Sequence, residues 1–446
     1  MNILYLFYNL VGPLLLVGIL LFAGHSFFEK KYRAFLIILS FAVIFMLAWY
    51  GLPFLFQSFS TAPIVMLVVT SVVFILFFLP VNFPTKIQIY ASNEQVDERD
   101  TAFAREEYEP GTEKYERYYN MRPELKEIDD RLRDLPPLLG EGGIYYDKDK
   151  ADKIKLIFRR IKKMITDVDG PINNIQSLEN PKSITHQLKT VIRNQGAMDV
   201  GVAHLHQNYV YSHVGRGPEE WGSRILNGHK YAIVFAVEMD YMEVEKAPDI
   251  TIIEETALKY LLAAEISVSL AKYIRSLGYS ARAHISESNY QIILPAVAYE
   301  AGLGELGRHG YLISPKSGSR LRLGGITTNL PMVIDKPITF GVQDFCTKCQ
   351  KCADNCPPSA IPSGDKETLR GVEKWVIDPI KCLHYWRIAG SDCGLCMKVC
   401  PYSHPNTFAH NLVRIGIKRS AIARNVSIWG DDLLYGRNVT IKGRRN

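Results

Sequence analysis

The chain opens on three long apolar runs, at about Ile3–Ala23, Ala34–Phe56 and Pro63–Leu79, and only then turns polar. Each run is close to the roughly 20 residues a helix needs to cross the hydrocarbon core of a bilayer. Residues 1–85 hold four charged side chains, Glu29, Lys30, Lys31 and Arg33, all in the first connection. A cleavable signal peptide would carry a charged start and would not be followed by two further runs. The pattern predicts a three-helix transmembrane anchor over 1–85, seated in the lipid bilayer of the cell membrane. Positive charge holds the first connection inside, so the multi-pass topology places everything beyond Leu79 in the cytoplasm.

Behind the anchor, 86–170 is of mixed charge and rich in tyrosine, with helical charge spacing over Arg122–Leu135 that stops at Pro136 and Pro137. It reads as a solvated segment wrapping between anchor and core. Strand-like runs follow at Ala197–Ala203, Tyr231–Glu238, Tyr290–Leu294 and Leu321–Thr328, with a long helix over Ile253–Leu277 closed by Gly278. This alternation predicts an α/β core over 171–335. A cysteine-bearing domain over 336–410 and a C-terminal tail over 411–446 complete the division. A formal net charge of +6 is modest for 446 residues, and no long basic run occurs, so no nucleic-acid partner is expected.

The chemistry is concentrated in eight cysteines, all between 346 and 400. Cys346, Cys349, Cys352 and Cys356 precede Pro357 in a C-x2-C-x2-C-x3-C-P run; Cys382, Cys393, Cys396 and Cys400 follow, the last before Pro401. Short gaps of this kind let neighbouring sulfurs converge on different corners of one cubane. In two-cluster ferredoxin modules the fourth cysteine of a run ligates the other cluster. The expected sets are therefore Cys346, Cys349, Cys352 and Cys400 for one [4Fe-4S] cluster, and Cys356, Cys382, Cys393 and Cys396 for the other. Zinc knuckles use paired C-x2-C motifs but have no need of the repeated x2-x2-x3-Pro pattern.

With the core and the cysteines read, the stretch from Val234 to Pro401 resembles the corrinoid-dependent reductive dehalogenases. The resemblance is carried by Phe235-Ala-Val-Glu-Met-Asp-Tyr241, Tyr273-Ile-Arg-Ser-Leu-Gly-Tyr279 and Ala301-Gly-Leu-Gly-Glu-Leu-Gly-Arg-His-Gly310. It continues in Leu312-Ile-Ser-Pro315, Gly318-Ser-Arg-Leu-Arg322 and Phe340-Gly-Val-Gln-Asp-Phe-Cys346, with weaker matches at Arg122–Lys126, Trp429–Asp432 and Tyr435–Gly436. It implies a nitroreductase-like α/β core holding base-off cobalamin, joined to a ferredoxin-like domain with two [4Fe-4S] clusters. Two departures stand out: no twin-arginine export motif is present, and three fused spans replace the family's separate anchor subunit.

The resemblance also nominates site residues. Tyr260 lies thirteen positions before Tyr273, where the family places its proton donor. A phenol, with its ordinary pKa near 10, needs a neighbouring cation to work as an acid; Arg322 is the first candidate and Arg320 the second, two positions apart. Asn289 matches an asparagine lining the family's substrate pocket, and a turn-stabilising asparagine is the alternative. Glu305 and Arg308 are candidates for the corrinoid, or else an ion pair on a turn; His309, Ser314 and Lys316 join them by position.

The implied activity is two-electron reductive removal of halide from an organohalide, with electrons arriving through the clusters from a quinol or a reduced ferredoxin or flavodoxin. Two other readings compete. One is an epoxyqueuosine-reductase-like corrinoid enzyme, whose relatives are soluble and use an aspartate as acid. The other is a membrane iron–sulfur relay without substrate chemistry. Cobalt content separates the enzymes from the relay.

Overall fold

The computed structural model describes residues 3–51, 62–80, 84–287 and 290–439. The five segments drawn from the sequence gather into two compact units. One joins Met1–Thr85 to Phe340–Cys349 and Pro405–Lys442; the other is built mainly of Lys86–Thr339 and Gln350–His404.

In the first unit the apolar runs are helices Ile3–Phe28, Tyr32–Met46 and Ala62–Phe78, the second prolonged by a π-helical turn at Leu47–Gly51. Two segments, Tyr5–Phe28 and Tyr32–Gly51, are long and apolar enough to cross a bilayer; Pro63–Phe78 is shorter than that length. The end of the second expected span, through Phe56, lies outside the described residues. Trp49 is buried and stacks on Tyr8 with ring centroids 4.8 Å apart. The segment read as a C-terminal tail is helical, at Phe408–Arg419 and Ala421–Tyr435, and packs in this same unit.

The second unit is built on a four-stranded sheet: β1 Asp199–His204, β2 Tyr231–Glu238, β3 Ala281–His284 and β4 Leu321–Thr328. The order is β1-β2-β4-β3, and every pairing is antiparallel. The helix Thr251–Ser276 packs on this sheet with Ala263, Ala264, Leu270, Ala271 and Ile274 in the core, against Ile233, Phe235 and Ile326. Such burial of aliphatic side chains is the main favourable contribution to the unit's stability.

Two stretches depart from the sequence reading. Tyr290–Leu294 is not a strand: only Ile292 makes a bridge, to Val210, and a helix with proline in its first turn begins at Leu294. Pro295 supplies the fixed φ that the first helical turn accepts. The region 86–170 is also less solvated than its charge implies, because Tyr108, Tyr115, Tyr118, Tyr119 and Trp221 form a buried aromatic cluster. Arg105 and Asp129 are buried beside it in a two-bond ion pair at 2.6 and 2.9 Å. Charge density alone misled there, since the acidic and basic residues satisfy one another inside.

Candidate active site

Helical spacing sets Thr256 and Tyr260 four residues apart on one face of the helix Thr251–Ser276. β4 brings Arg322 to them, paired in register with Val237 of β2. The Arg322 guanidinium lies 5.4 Å from the centre of the Tyr260 ring, within the range of a cation–π contact. Its Nη2 donates to Thr256 Oγ1 at 2.7 Å and to Asp392 Oδ2 at 3.2 Å. Thr256 Oγ1 in turn donates to the same carboxylate oxygen at 2.6 Å. Asp392 immediately precedes Cys393, so one bonded network joins the tyrosine helix, the sheet and the cysteine segment.

Burial works against the Arg322 cation, but Tyr260, Asp392 and Tyr311 outweigh it and raise its pKa above the arginine value. Two more phenols face this group. Tyr290 is pushed well above 10, first by burial and then by the charge of Tyr260, with Arg216 and Arg322 opposing. Tyr311 is raised likewise, by burial and then by Cys396 and Cys382. Both therefore stay protonated and can only donate or accept hydrogen bonds. Tyr260, Tyr290, Tyr311 and Arg322 are all partly buried. A surface groove of about 570 Å3, lined by Tyr90, His206, Tyr209 and Glu300 among others, shares none of these residues. Buried charge converges instead on the Tyr260 cluster, as it commonly does at functional sites.

Arg320 sits elsewhere. It is buried, with Nε donating to Ser403 O and Nη1 to Met239 O, both at 2.6 Å, and Nη2 to Glu238 at 3.1 Å. It clamps backbone, while Arg322 alone of the two meets Tyr260. Between them and the preceding turn, Gly318 has φ +60°, and a Cβ there would lie 2.4 Å from the Tyr402 carbonyl. Only glycine allows that approach.

The remaining candidates divide. Arg308 is buried, donating to Pro362 O and Gly364 O at 2.7 and 2.9 Å with its guanidinium over Trp375. Glu305 is fully buried. Ser314 bonds Ser317 at 3.1 Å within a turn; Lys316 is half-exposed, 3.9 Å from Asp199. Asn289 lies outside the described residues. His309 is buried; its Nδ1 accepts from Tyr311 N at 3.2 Å, and burial lowers its pKa to about 4. The ring is thus neutral, with its proton on Nε2.

Sequence reading missed Thr256, Asp392, Tyr290 and Tyr311. Asp392 carried a signal, as a carboxylate inside a cysteine motif that needs no extra charge.

Four cysteines of the second unit stand in one another's electrostatic field. Cys382 is pushed up to about 12 by burial and then by Cys356; Cys393 and Cys396 rise too, by burial first and then by their neighbours among Cys356, Cys382 and Cys393. Cys356 Sγ accepts from Ala360 N at 3.3 Å. Cys393 has φ +56° and Gly394 φ +68°, a left-handed pair that costs free energy for the non-glycine member and is typical of functional sites. Among the described residues no three His, Cys, Asp or Glu side chains close on a single metal ion. A cubane spreads its sulfurs over four iron corners and so needs a wider set. Cys346 and Cys349 lie on the helix Val342–Cys349 of the first unit.

A cofactor fit follows from the polar atoms. His309 Nε2, Ser286 Oγ, Arg322 Nε and Asp392 Oδ1 are buried without a protein partner. Buried polar groups are costly unless satisfied, so this donor and acceptor set suits a ligand rimmed with amides, as a corrinoid is. Thiolates from the cysteines suit iron.

Comparison with known proteins agrees with this chemistry. Residues 345–404 match the 4Fe-4S dicluster domain family, so the chain carries an iron–sulfur dicluster domain. It is 32% identical over 298 residues to the tetrachloroethene reductive dehalogenase of Sulfurospirillum multivorans, covering 58% of this chain and 59% of that one. It is 34% identical over 197 residues to a Desulfitobacterium hafniense enzyme of the same name, covering 42% and 35%. The catabolic reductive dehalogenase NpRdhA, solved with 3-bromo-4-hydroxybenzoic acid, superposes with a TM-score of 0.66 at 26% identity, over 82% of this chain and 51% of that one. The chain thus spans between a third and three fifths of these relatives' own length. Over these stretches it is similar to the reductive dehalogenases.

Proposed function

We propose that the chain is a membrane-anchored reductive dehalogenase that replaces the halogen of an organohalide by hydrogen. The balance is R–X plus two electrons and one proton giving R–H and halide. The observation that carries this reading is the Tyr260–Arg322–Asp392 network directly beside Cys393. When bound, a corrinoid supplies the carbon–halogen bond cleavage, and two [4Fe-4S] clusters supply the electrons. His309, Ser286 and Arg322 offer the polar contacts for the former; Cys346, Cys349, Cys352 and Cys400, with Cys356, Cys382, Cys393 and Cys396, hold the latter.

The chain's own part is proton delivery and enclosure. Tyr260 O–H gives its proton to the dehalogenated carbon. Arg322, fixed by Thr256 and Asp392, stabilises the phenolate left behind, an electrostatic contribution strongest away from bulk water. Tyr290 and Tyr311 remain neutral beside them.

Purified anaerobically and reconstituted with iron and cobalamin, the protein is expected to bind about eight iron and one cobalt per chain. It should then release halide from members of a panel of aryl and alkyl halides. Zinc in place of iron, or cobalt binding with no halide released from any member, would overturn the reading.

Anchoring is supported by the two long apolar helices, and orientation by Lys30, Lys31 and Arg33 in the connection between them. If the shorter third helix, Ala62–Phe78, crosses as well, that charge puts the chain beyond it in the cytoplasm, where thiols awaiting iron are kept reduced. Protease added to intact spheroplasts should leave residues 96–170 uncut until lysis. Cleavage there from outside would reverse the topology.

A further inference from the structure

The C-terminal helices Phe408–Arg419 and Ala421–Tyr435 have no role in the chemistry above, and their two faces differ sharply. The inner face packs on the ends of the apolar helices. Gly416 faces Phe77 so closely that a Cβ would lie 2.3 Å from its ring, and Ser420 Oγ donates to Leu76 O at 3.4 Å. Leu434 and Tyr435 pack with Phe22, Ala23, Ala34 and Ile38. Leu76 and Phe77 end the third apolar helix, while Ala23 and Ala34 flank the charged first connection. The helical pair therefore sits at one end of the apolar bundle, the end where Lys30, Lys31 and Arg33 lie and where the chain leaves toward Thr85.

The outer face is apolar in two stripes. Phe408, Leu412 and Ile415 follow i, i+4, i+7 spacing on the first helix, and Ile422, Val426 and Trp429 repeat it on the second. All are exposed, Phe408 by 80% and Trp429 by 63%. Lys418 and Arg419, also exposed, close the first stripe. An apolar stripe edged with basic residues and carrying tryptophan marks a helix lying in a membrane interface. Water is a poor surrounding for so continuous a patch.

We infer that this helical pair is an interfacial collar, its outer stripes dissolved among the upper acyl chains and Lys418 and Arg419 reaching the lipid phosphates. The inference rests on the anchoring proposed above, since the apolar bundle sets the pair's depth. Continuity with that bundle favours lipid over a protein occupant: the same lipid that covers the exposed sides of the helices Ile3–Phe28 and Tyr32–Met46 reaches the stripes without a break.

The test uses the full chain in vesicles of phosphatidylcholine and phosphatidylglycerol containing a phosphatidylcholine with a diazirine-bearing acyl chain. After irradiation, adducts are mapped by mass spectrometry. Adducts are expected over 408–429 as well as over 3–78. Adducts over 3–78 alone would overturn the collar and leave the anchor standing; adducts over neither would overturn both. Cross-links between the 408–429 segments of two copies, in place of lipid adducts, would assign the face to a dimer and overturn the collar. In the double variant Leu412→Glu with Val426→Glu, labelling of 408–429 should fall several-fold while labelling of 3–78 is unchanged. Equal labelling in that variant would also count against the collar.

Discussion

Replacing Tyr260 with phenylalanine is expected to lower halide release by on the order of 100- to 10,000-fold, the usual contribution of a positioned acid, while iron content and the corrinoid absorption spectrum stay as in the parent. Phenylalanine keeps the ring, and with it the contact to the Arg322 guanidinium 5.4 Å from the ring centre. It removes only the O–H. The phenol is the group whose loss of a proton Arg322 can stabilise, because an opposite charge close by favours the ionised form. Tyr290→Phe and Tyr311→Phe make the matching controls. Their phenols are pushed well above 10 by burial, so they are poor acids and their removal should cost far less turnover. Normal turnover by Tyr260→Phe with unchanged spectra would assign the proton to another donor.

How far the site was legible differs from residue to residue. The cysteines could be read because their chemistry lives in short local spacings. β2 could be read as an apolar run and β4 as a short strand, and Tyr231–Glu238 and Leu321–Thr328 have the bounds the pattern gives. The choice between Arg320 and Arg322 could not be made from spacing, because residues two apart on a strand share a face. It is decided by where pairing starts: β4 begins at Leu321, and Arg320, just outside it, turns to the carbonyls of Met239 and Ser403. Asp392 was out of reach for another reason. Its partners Thr256 and Arg322 lie 136 and 70 residues away, and no local pattern encodes a meeting at that distance. The C-terminal helices show the opposite case. Their i, i+4, i+7 stripes were present in the sequence, but a stripe announces a helix without saying that its apolar face points outward.

Asp392→Ala is expected to cost about 3–5 kcal/mol of folding stability, the penalty of stranding one member of a buried ion pair, together with most of the turnover. The side chains of Arg322 and Asp392 are only 12% and 3% exposed. Without the carboxylate, the guanidinium keeps Thr256 as its side-chain oxygen partner and has no anion to offset its burial. Denaturant unfolding followed by tryptophan emission reads the loss, and iron content shows whether the neighbouring Cys393 still holds its cluster. Thr256 would lose its acceptor as well, so Arg322 should become free to shift off the Tyr260 ring. The double variant Asp392→Ala with Arg322→Met separates the two effects. Methionine fills much of the same space without charge, so stability should return toward the parent, whereas turnover should not, because Tyr260 then has no cation beside it. A single variant as stable as the parent would mean that Thr256 and Tyr260 suffice to hold the buried cation. Recovery of turnover in the double variant would remove Arg322 from the reaction.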